Sequence, residues 1–317
     1  MSRRDPLYGK LVTIVGGSGF VGNHLAGALL GRGARIRLAS RHPETAHHLK
    51  PLAQLGQIQA ARCDATRPDS VAQAIAGADA VVNLVGTFSG DVMGTICGGA
   101  RNIAQAAAAA GCEAMVHLSA IGADASSPAG YARAKAESEA VVLDAFPQAT
   151  VLRPSVLFGE DDNFVQMFAR LIGALPVLPV LPVFAPHAPL QPLFVDDAAE
   201  AVAVALGAPQ TYGGKVYEIA GPESITMLEL NRRIAASQRR DRTFIPLPDG
   251  VSALFAMLPG TPMNTDQWTL LQAGNRPSGA LPGIDAFGIV PRPLGLFLDR
   301  WMTRYRRHGR FNEKLVG

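Results

Sequence analysis

The stretch Lys10-Leu-Val-Thr-Ile-Val followed by Gly16-Gly-Ser-Gly-Phe-Val-Gly22 constrains the fold more than any other part of the chain. Leu11 to Val15 is an unbroken apolar, β-branched run, the pattern of a strand covered on both faces, as in parallel sheets. Glycines at 16, 19 and 22 then turn the chain into a helix from Phe20 to Gly31. Gly16 admits a tight turn, Gly19 lets a pyrophosphate approach the backbone, and Gly22 lets the helix lie close to the strand. The unpaired N–H groups of the first helical turn then face a phosphate. With a strand before it and a helix after it, the glycine pattern predicts a dinucleotide cradle.

Beyond the cradle, apolar runs alternate with helical patterns. Strands are expected at Arg35 to Ser40, Gln57 to Cys63, Ala80 to Val85 and Ala114 to Ser119. Helices are expected near His42 to Leu55, at Pro68 to Ile75, and in a long Ala-rich segment reaching Ala110. This order, with short connections, predicts a doubly wound α/β fold with a parallel Rossmann sheet. Residues 1–155 would form the dinucleotide-binding domain, with later strands such as Val216 to Ile219 rejoining its sheet. Residues 156–292 would form a smaller substrate-side lobe, and residues 293–317 a basic amphipathic helix and tail. With 48% hydrophobic and 17% charged residues in 317, disorder is excluded. Cys63, Cys97 and Cys112 have neither disulfide nor metal-ligand spacing, which points to a reducing compartment and no metal. Asp5 follows Arg3 and Arg4, and the apolar residues beyond belong to the first strand, so a signal peptide is not expected. Ala174 to Pro186 is too short and too proline-rich to span a bilayer.

The end of the second strand selects the cofactor. An acid holding a ribose 2′-hydroxyl is expected about 20 residues beyond the glycine motif, but the chain offers Ser40-Arg41-His42. Arg41 suits a 2′-phosphate, which favours NADP(H) over NAD(H). Asp64, after the third strand, would lie by the adenine amino group or cap the helix near Pro68. Gly86 closes Asn83-Leu-Val-Gly at the carboxyl edge of the sheet, where ligands gather.

Twelve residues after Ser119 comes Tyr131-Ala-Arg-Ala-Lys135 at the start of a helix. The spacing puts Tyr131 and Lys135 on one face. A phenol with a pKa of about 10 is a poor acid or base near neutrality, and an adjacent ammonium lowers that value. Tyr131 would then exchange a proton with a substrate oxygen held by Ser119 during hydride transfer, while Lys135 would also bind the nicotinamide ribose.

In GGSGFVG, CDAT, VVNLVG, VHLSAIGAD, YARAKAESE and LRPSVLFGEDD the chain resembles an extended or atypical short-chain dehydrogenase/reductase. In VVNLVG, HLSAIGADASSPAGYARAKAESE, LRPSVLFGEDDNF, LQPLFVDDAAEAV and YEIAGPE it resembles more narrowly the group that includes the NADPH-binding accessory subunit of respiratory complex I. The resemblance runs from about Lys10 to Glu229. It implies that Gly16, Ser18, Gly19, Phe20 and Gly22 bind pyrophosphate. It likewise assigns Arg41 to the adenosine phosphate, Asp64 to the adenine, and Leu84, Val85 and Gly86 to the ribose. Ser119, Tyr131 and Lys135 fall on the catalytic positions, and Pro154 to Val156 lie beside the nicotinamide. Two departures stand out. An Asn that completes a proton relay in many active relatives has no clear counterpart in Cys97-Gly-Gly-Ala-Arg-Asn102, and Phe184 to Pro189 replaces a glycine-rich turn.

Asp196 and Asp197 read as helix-start capping acids. Ala174 to Leu193, nearly uncharged and studded with proline, is expected as an extended wall over the cleft or a buried connection, with His187 as a candidate substrate contact. From Pro293, apolar Leu294, Phe297, Leu298, Trp301, Met302 and Tyr305 recur at helical spacing. They run beside Arg300, Arg304, Arg307 and Arg310. From Arg300 to Lys314 the net charge is +5, leaving −2 elsewhere. Such a helix suits an anionic membrane surface through Pro293 to Arg310, or else docks on its own domain. The expected protein is cytoplasmic and peripheral on the inner membrane face, with no basic stripe for nucleic acid. Two functions compete. One is an accessory or assembly factor of respiratory or quinone-biosynthesis machinery; the other is an active NADP(H)-dependent oxidoreductase on a hydrophobic carbonyl, alcohol or quinone-like substrate.

Overall fold

The computed structural model describes residues 4–174, 180–247, 250 and 265–306. The chain divides into two interleaved units. The first takes Met1–Pro154, Val195–Ile219 and Pro277–Val290; the second takes Ser155–Phe194, Ala220–Arg276 and Pro291–Gly317.

The first unit is built on a seven-stranded parallel sheet. Its strands are β1 (Leu11–Val15), β2 (Arg35–Ser40), β3 (Ile58–Arg62), β4 (Ala80–Asn83), β5 (Ala114–Leu118), β6 (Thr150–Pro154) and β7 (Lys215–Ile219). Their spatial order is β7-β6-β5-β4-β1-β2-β3, so the winding reverses between β1 and β4. β1 is fully buried because it pairs on both sides and is covered on both faces. The helices are α1 (Phe20–Gly31), α2 (Pro68–Ile75), α3 (Gly99–Ala109), α4 (Gly130–Ala145) and α5 (Val195–Gly207). α1 packs on α5, while α2, α3 and α4 pack in succession around Val71, Ile75, Val81, Ile103, Met115 and Val142. Asp196 is more than a capping acid: its Oδ1 meets His24 Nδ1 at 2.5 Å, tying α5 to α1.

Two local expectations are corrected. The segment near His42 to Leu55 forms a 3₁₀ helix over Pro43–Leu52, because Pro51 lacks the N–H that an α-helix would need there. The Ala-rich helix begins with a π turn over Gly94–Gly98 before α3.

In the second unit Val180–Val183 pairs in parallel with Thr243–Pro246, and Pro189–Leu190 pairs antiparallel with Ile225–Thr226. The described part of the proline-rich stretch is therefore short strands, Val180–Val183 and Pro189–Leu190, joined by turns; residues 175–179 lie outside the described residues. His187 is exposed, beside a cavity also lined by Pro246 and Gln272. The C-terminal segment folds as an α-helix over Gly295–Trp301 and a 3₁₀ turn over Met302–Tyr305. Its apolar face points inward. Leu294, Leu298, Trp301 and Met302 are buried, and Phe297 stacks on both Trp301 and Phe194 at 4.9 and 4.2 Å. The Tyr305 hydroxyl donates to Gln166 Oε1, and Arg304 donates to Glu160 O and Gln166 Oε1. The membrane expectation for Pro293 to Arg310 thus loses its aromatic anchors, which have found a drier partner within their own unit. Arg307 and Arg310 lie outside the described residues. Among the described residues no helix is long and apolar enough to cross a membrane.

Candidate nucleotide site

The cradle sits at the reversal of the sheet. Gly16 has φ +84°, a conformation open to glycine, and a Cβ there would meet the Leu84 carbonyl carbon and oxygen at 3.2 Å. Leu84 N donates to Val15 O at 2.9 Å, which brings the turn after β4 beside the turn after β1. Gly22 is demanded by packing: a Cβ would lie 2.6–2.7 Å from the Gly17 carbonyl carbon and Cα. Gly17, which the motif spacing did not single out, is equally constrained, with Ile14 O at 2.8 Å from its would-be Cβ.

Gly19 differs from these. It is the N-cap of α1 with φ −84° and ψ 177°, its nearest neighbour is Gly16 O at 3.4 Å, and no side chain caps the helix. The fold places no steric demand on Gly19, so what a side chain would fill is the open space before the helix's unpaired N–H groups. A pyrophosphate fits that space. Ser18 is half-buried beside it, and Phe20 begins the helix with its ring edge-on to His24 at 5.3 Å.

At the end of β2, Ser40 Oγ is buried with no hydrogen-bond partner among the described residues, and Arg41 is exposed. Asp64 Oδ1 accepts from Thr66 N and Oγ1 at 3.0 and 2.8 Å, and these bonds hold its carboxyl below the usual range. An unpaired hydroxyl and a cation offer donors to a phosphate, and the ionised carboxylate offers an acceptor to the adenine amino group.

Toward the other end of the sheet, Tyr131, Lys135 and Glu139 follow one another at i, i+4 and i+8 along α4. Lys135 Nζ donates to Leu118 O at 2.8 Å and Val85 O at 3.3 Å, and a Cβ on Gly86 would lie 3.9 Å from it. The structure therefore brings Leu84, Val85, Gly86, Ser119 and Lys135 to one sheet edge. Tyr131 is half-buried, its ring stacked on Phe88 at 4.2 Å with an interplanar angle of 18°. Pro154 ends β6, where its carbonyl accepts from Ile121 N at 3.0 Å. Val156 falls in the second unit, where its N–H donates to Asn275 Oδ1.

The electrostatics reverse one expectation. Lys135 was expected to lower the Tyr131 pKa, but burial pushes the phenol up to about 12. Burial likewise pulls Lys135 down to about 8, with Glu139 opposing. The ammonium lies 5.9 Å from the Tyr131 ring and spends its donors on backbone carbonyls. Desolvation therefore outweighs the tyrosine–lysine attraction in the protein alone.

Sequence reasoning missed two side chains at Ser119. Its hydroxyl donates to Glu139, a buried carboxylate also gripped by Arg153 Nε and Nη2 at 2.8 and 2.7 Å. Arg153 Nη1 lies 3.7 Å from Glu218, which accepts from Ser278. With its proton turned to Glu139, Ser119 presents lone pairs rather than a donor. The repeat at i+8 from Tyr131 was the available signal for Glu139. Asn102, the nearest candidate for the proton-relay position, donates to Ala65 O at 2.9 Å and ties α3 to the loop after β3.

Behind these groups lies a buried polar chain. Ser138 Oγ donates to Lys135 O at 2.7 Å and so accepts from His117 Nε2 at 2.9 Å; His117 Nδ1 accepts from Asn83 Nδ2 at 3.0 Å. Asn83 Oδ1 in turn accepts from Val85 N at 3.0 Å. His117 is therefore neutral, its pKa lowered to about 3 by burial and then by Lys135. Because the unfolded chain binds a proton near pH 6.5 and the folded chain does not, stability is complete above about 6.5 and lost as pH falls toward 3. We expect the unfolding free energy to drop by about 2 kcal/mol between pH 7.5 and 5, read by urea denaturation. The slope should flatten in His117→Gln; an unchanged slope would place the titration elsewhere.

A parallel sheet reversing at β1 and β4, with a glycine-built turn at the reversal, defines a nicotinamide dinucleotide-binding protein of Rossmann type. A family profile described as NAD(P)H-binding matches residues 16–169. The chain is 30% identical over 317 residues to NADH dehydrogenase (ubiquinone) 1 alpha subcomplex subunit 9, mitochondrial, of Rattus norvegicus, covering 96% of this chain and 83% of that one. It is 28% identical to the protein of the same name from Arabidopsis thaliana, covering 96% and 80%. The chain belongs to that family of subunits. An NADPH-dependent quinone oxidoreductase of Escherichia coli, solved with NADPH, shares the fold with a TM-score of 0.71, 19% identity and coverage of 91% of this chain and 99% of that one.

Proposed function

We propose that this protein holds NADP(H) as an accessory or assembly factor of respiratory or quinone-handling machinery, and that the dinucleotide serves binding rather than turnover. One observation carries the reading: Ser119 gives its proton to Glu139. It is supported by a Tyr131 phenol pushed up to about 12 and by a Lys135 ammonium engaged with Leu118 O and Val85 O. Gly16, Ser18, Gly19, Phe20 and Gly22 would hold the pyrophosphate. Ser40, Arg41 and Asp64 would hold the adenosine, and Leu84, Val85, Gly86 and Lys135 the ribose. Pro154 would lie beside the nicotinamide.

A second reading, an NADP(H)-dependent oxidoreductase on a hydrophobic carbonyl, alcohol or quinone, is favoured by Tyr131 and Lys135 sharing one helix face. The nicotinamide would supply hydride. Tyr131 would exchange the proton, and Lys135, drawn off its carbonyls toward a ribose, would lower the phenol's pKa.

Calorimetry should find NADPH bound more tightly than NADH. A charge-assisted contact is worth about 1.5–3 kcal/mol, so Arg41→Ala should cut the preference by about tenfold or more. Equal affinities in the unmodified protein would end the NADP(H) reading. The same preparation is assayed for NADPH oxidation with quinones and lipophilic ketones. The accessory reading expects no turnover; turnover that disappears in Tyr131→Phe would install the enzyme instead.

A further inference from the structure

Two arginines on or just before β2 are already committed. Arg37 Nη1 donates to Ala74 O and Ala76 O, each at 2.8 Å, and Arg32 pairs with Glu200. Arg41, at the end of β2, and Arg67, the N-cap of α2, are exposed, and neither guanidinium hydrogen-bonds or salt-bridges another described residue. Both nevertheless act on the same carboxylate. After the Thr66 hydrogen bonds, the charges of Arg41 and Arg67 help hold Asp64 low. Arg67 is fixed near it by its backbone, since Arg67 N donates to Asp64 O at 3.0 Å.

Among the charges that act on Asp64, two guanidiniums against one carboxylate leave a surplus of one positive charge; Asp69, in the first turn of α2, lies outside that set. A ribose diol does nothing for that surplus. A phosphate monoester, carrying a charge of about −1.5 to −2 near neutrality with three acceptor oxygens, matches it in charge and in donors. The buried, unpartnered Ser40 hydroxyl adds a rotatable donor at the same strand end.

We propose that Arg67 is a second cation for the adenosine 2′-phosphate, closing on it from the start of α2 while Arg41 approaches from the end of β2. The assignment rests on the reading of the protein as an NADP(H) binder. Arg62 is the competing cation: it is also exposed, and it stands in register with Ser40 on the neighbouring strand.

The test is calorimetry of the full chain with NADPH, NADH and 2′,5′-ADP, comparing the unmodified protein with Arg67→Gln, Arg62→Gln and Arg41→Ala. Arg67→Gln should weaken NADPH and 2′,5′-ADP by about tenfold and leave NADH unchanged; a larger NADPH-selective loss in Arg62→Gln would make Arg62 the second cation and overturn the assignment. All three side chains are exposed, so unaltered thermal melts are expected to accompany these results. If the unmodified protein prefers NADPH and Arg67→Gln keeps that preference, Arg67 has no part in it, although the NADP(H) reading survives. Equal loss of NADPH and NADH would make Arg67 an adenine or general contact and overturn the assignment. No preference in the unmodified protein would remove both.

Discussion

Glu139→Ala should lower the unfolding free energy by about 3–5 kcal/mol, measured by urea denaturation at neutral pH. Three donor atoms on two side chains depend on that carboxylate. Ser119 donates to it, and Arg153 holds it through Nε and Nη2. Truncation leaves a mostly buried guanidinium facing a void, with Glu218 3.7 Å from Nη1 as its remaining partner. Glu139→Gln retains an acceptor for one of them and should cost less. A loss under about 1 kcal/mol in the alanine variant would mean that water substitutes freely and that the cluster is solvated.

The second large effect separates two glycines of one motif. Gly22→Ala drives a methyl group into the backbone of Gly17, which cannot yield as a side chain would, and should cost about 3 kcal/mol. Gly19→Ala meets nothing closer than 3.4 Å at an ordinary extended φ. Alanine is a poorer N-cap than glycine, so stability should fall by about 0.5–1 kcal/mol, well short of the Gly22→Ala loss. The NADPH affinity of Gly19→Ala should fall by about tenfold or more, because the methyl occupies the approach to the first-turn N–H groups. Gly19→Ala that binds NADPH normally would move the pyrophosphate away from α1.

How much of this was legible depended on how local the cause was. β1, β2 and α2 follow from runs of residues that decide their own structure, and their bounds matched the pattern closely. Pro43–Leu52 has a helical pattern, but Pro51 within it is the local sign against an α-helix. Ser119, Tyr131 and Lys135 could be picked out by spacing, whereas what each side chain is doing could not. The hydroxyl of Ser119 is captured by a residue on α4, which is itself held by Arg153 from β6. The shift of Tyr131 depends on burial that no short window of sequence reports. The tail shows the same limit. Apolar spacing correctly marked Leu294, Leu298, Trp301 and Met302 as one face, but only tertiary structure could say that Phe194 and Phe158 were waiting for it.

The interleaving of the two units also sets a timetable for synthesis. When a ribosome has delivered Pro154, six of the seven strands of the sheet exist, and β6 still has an open edge. The strand that closes it, Lys215–Ile219, comes only after a long excursion, and Glu218 N then waits for Pro282 O. At about 5–20 residues per second the gap lasts seconds, far longer than a strand edge needs to find another partner. The nascent chain therefore carries an adhesive border through much of its translation. Until the later segments emerge, that border is exposed to pairing with another chain.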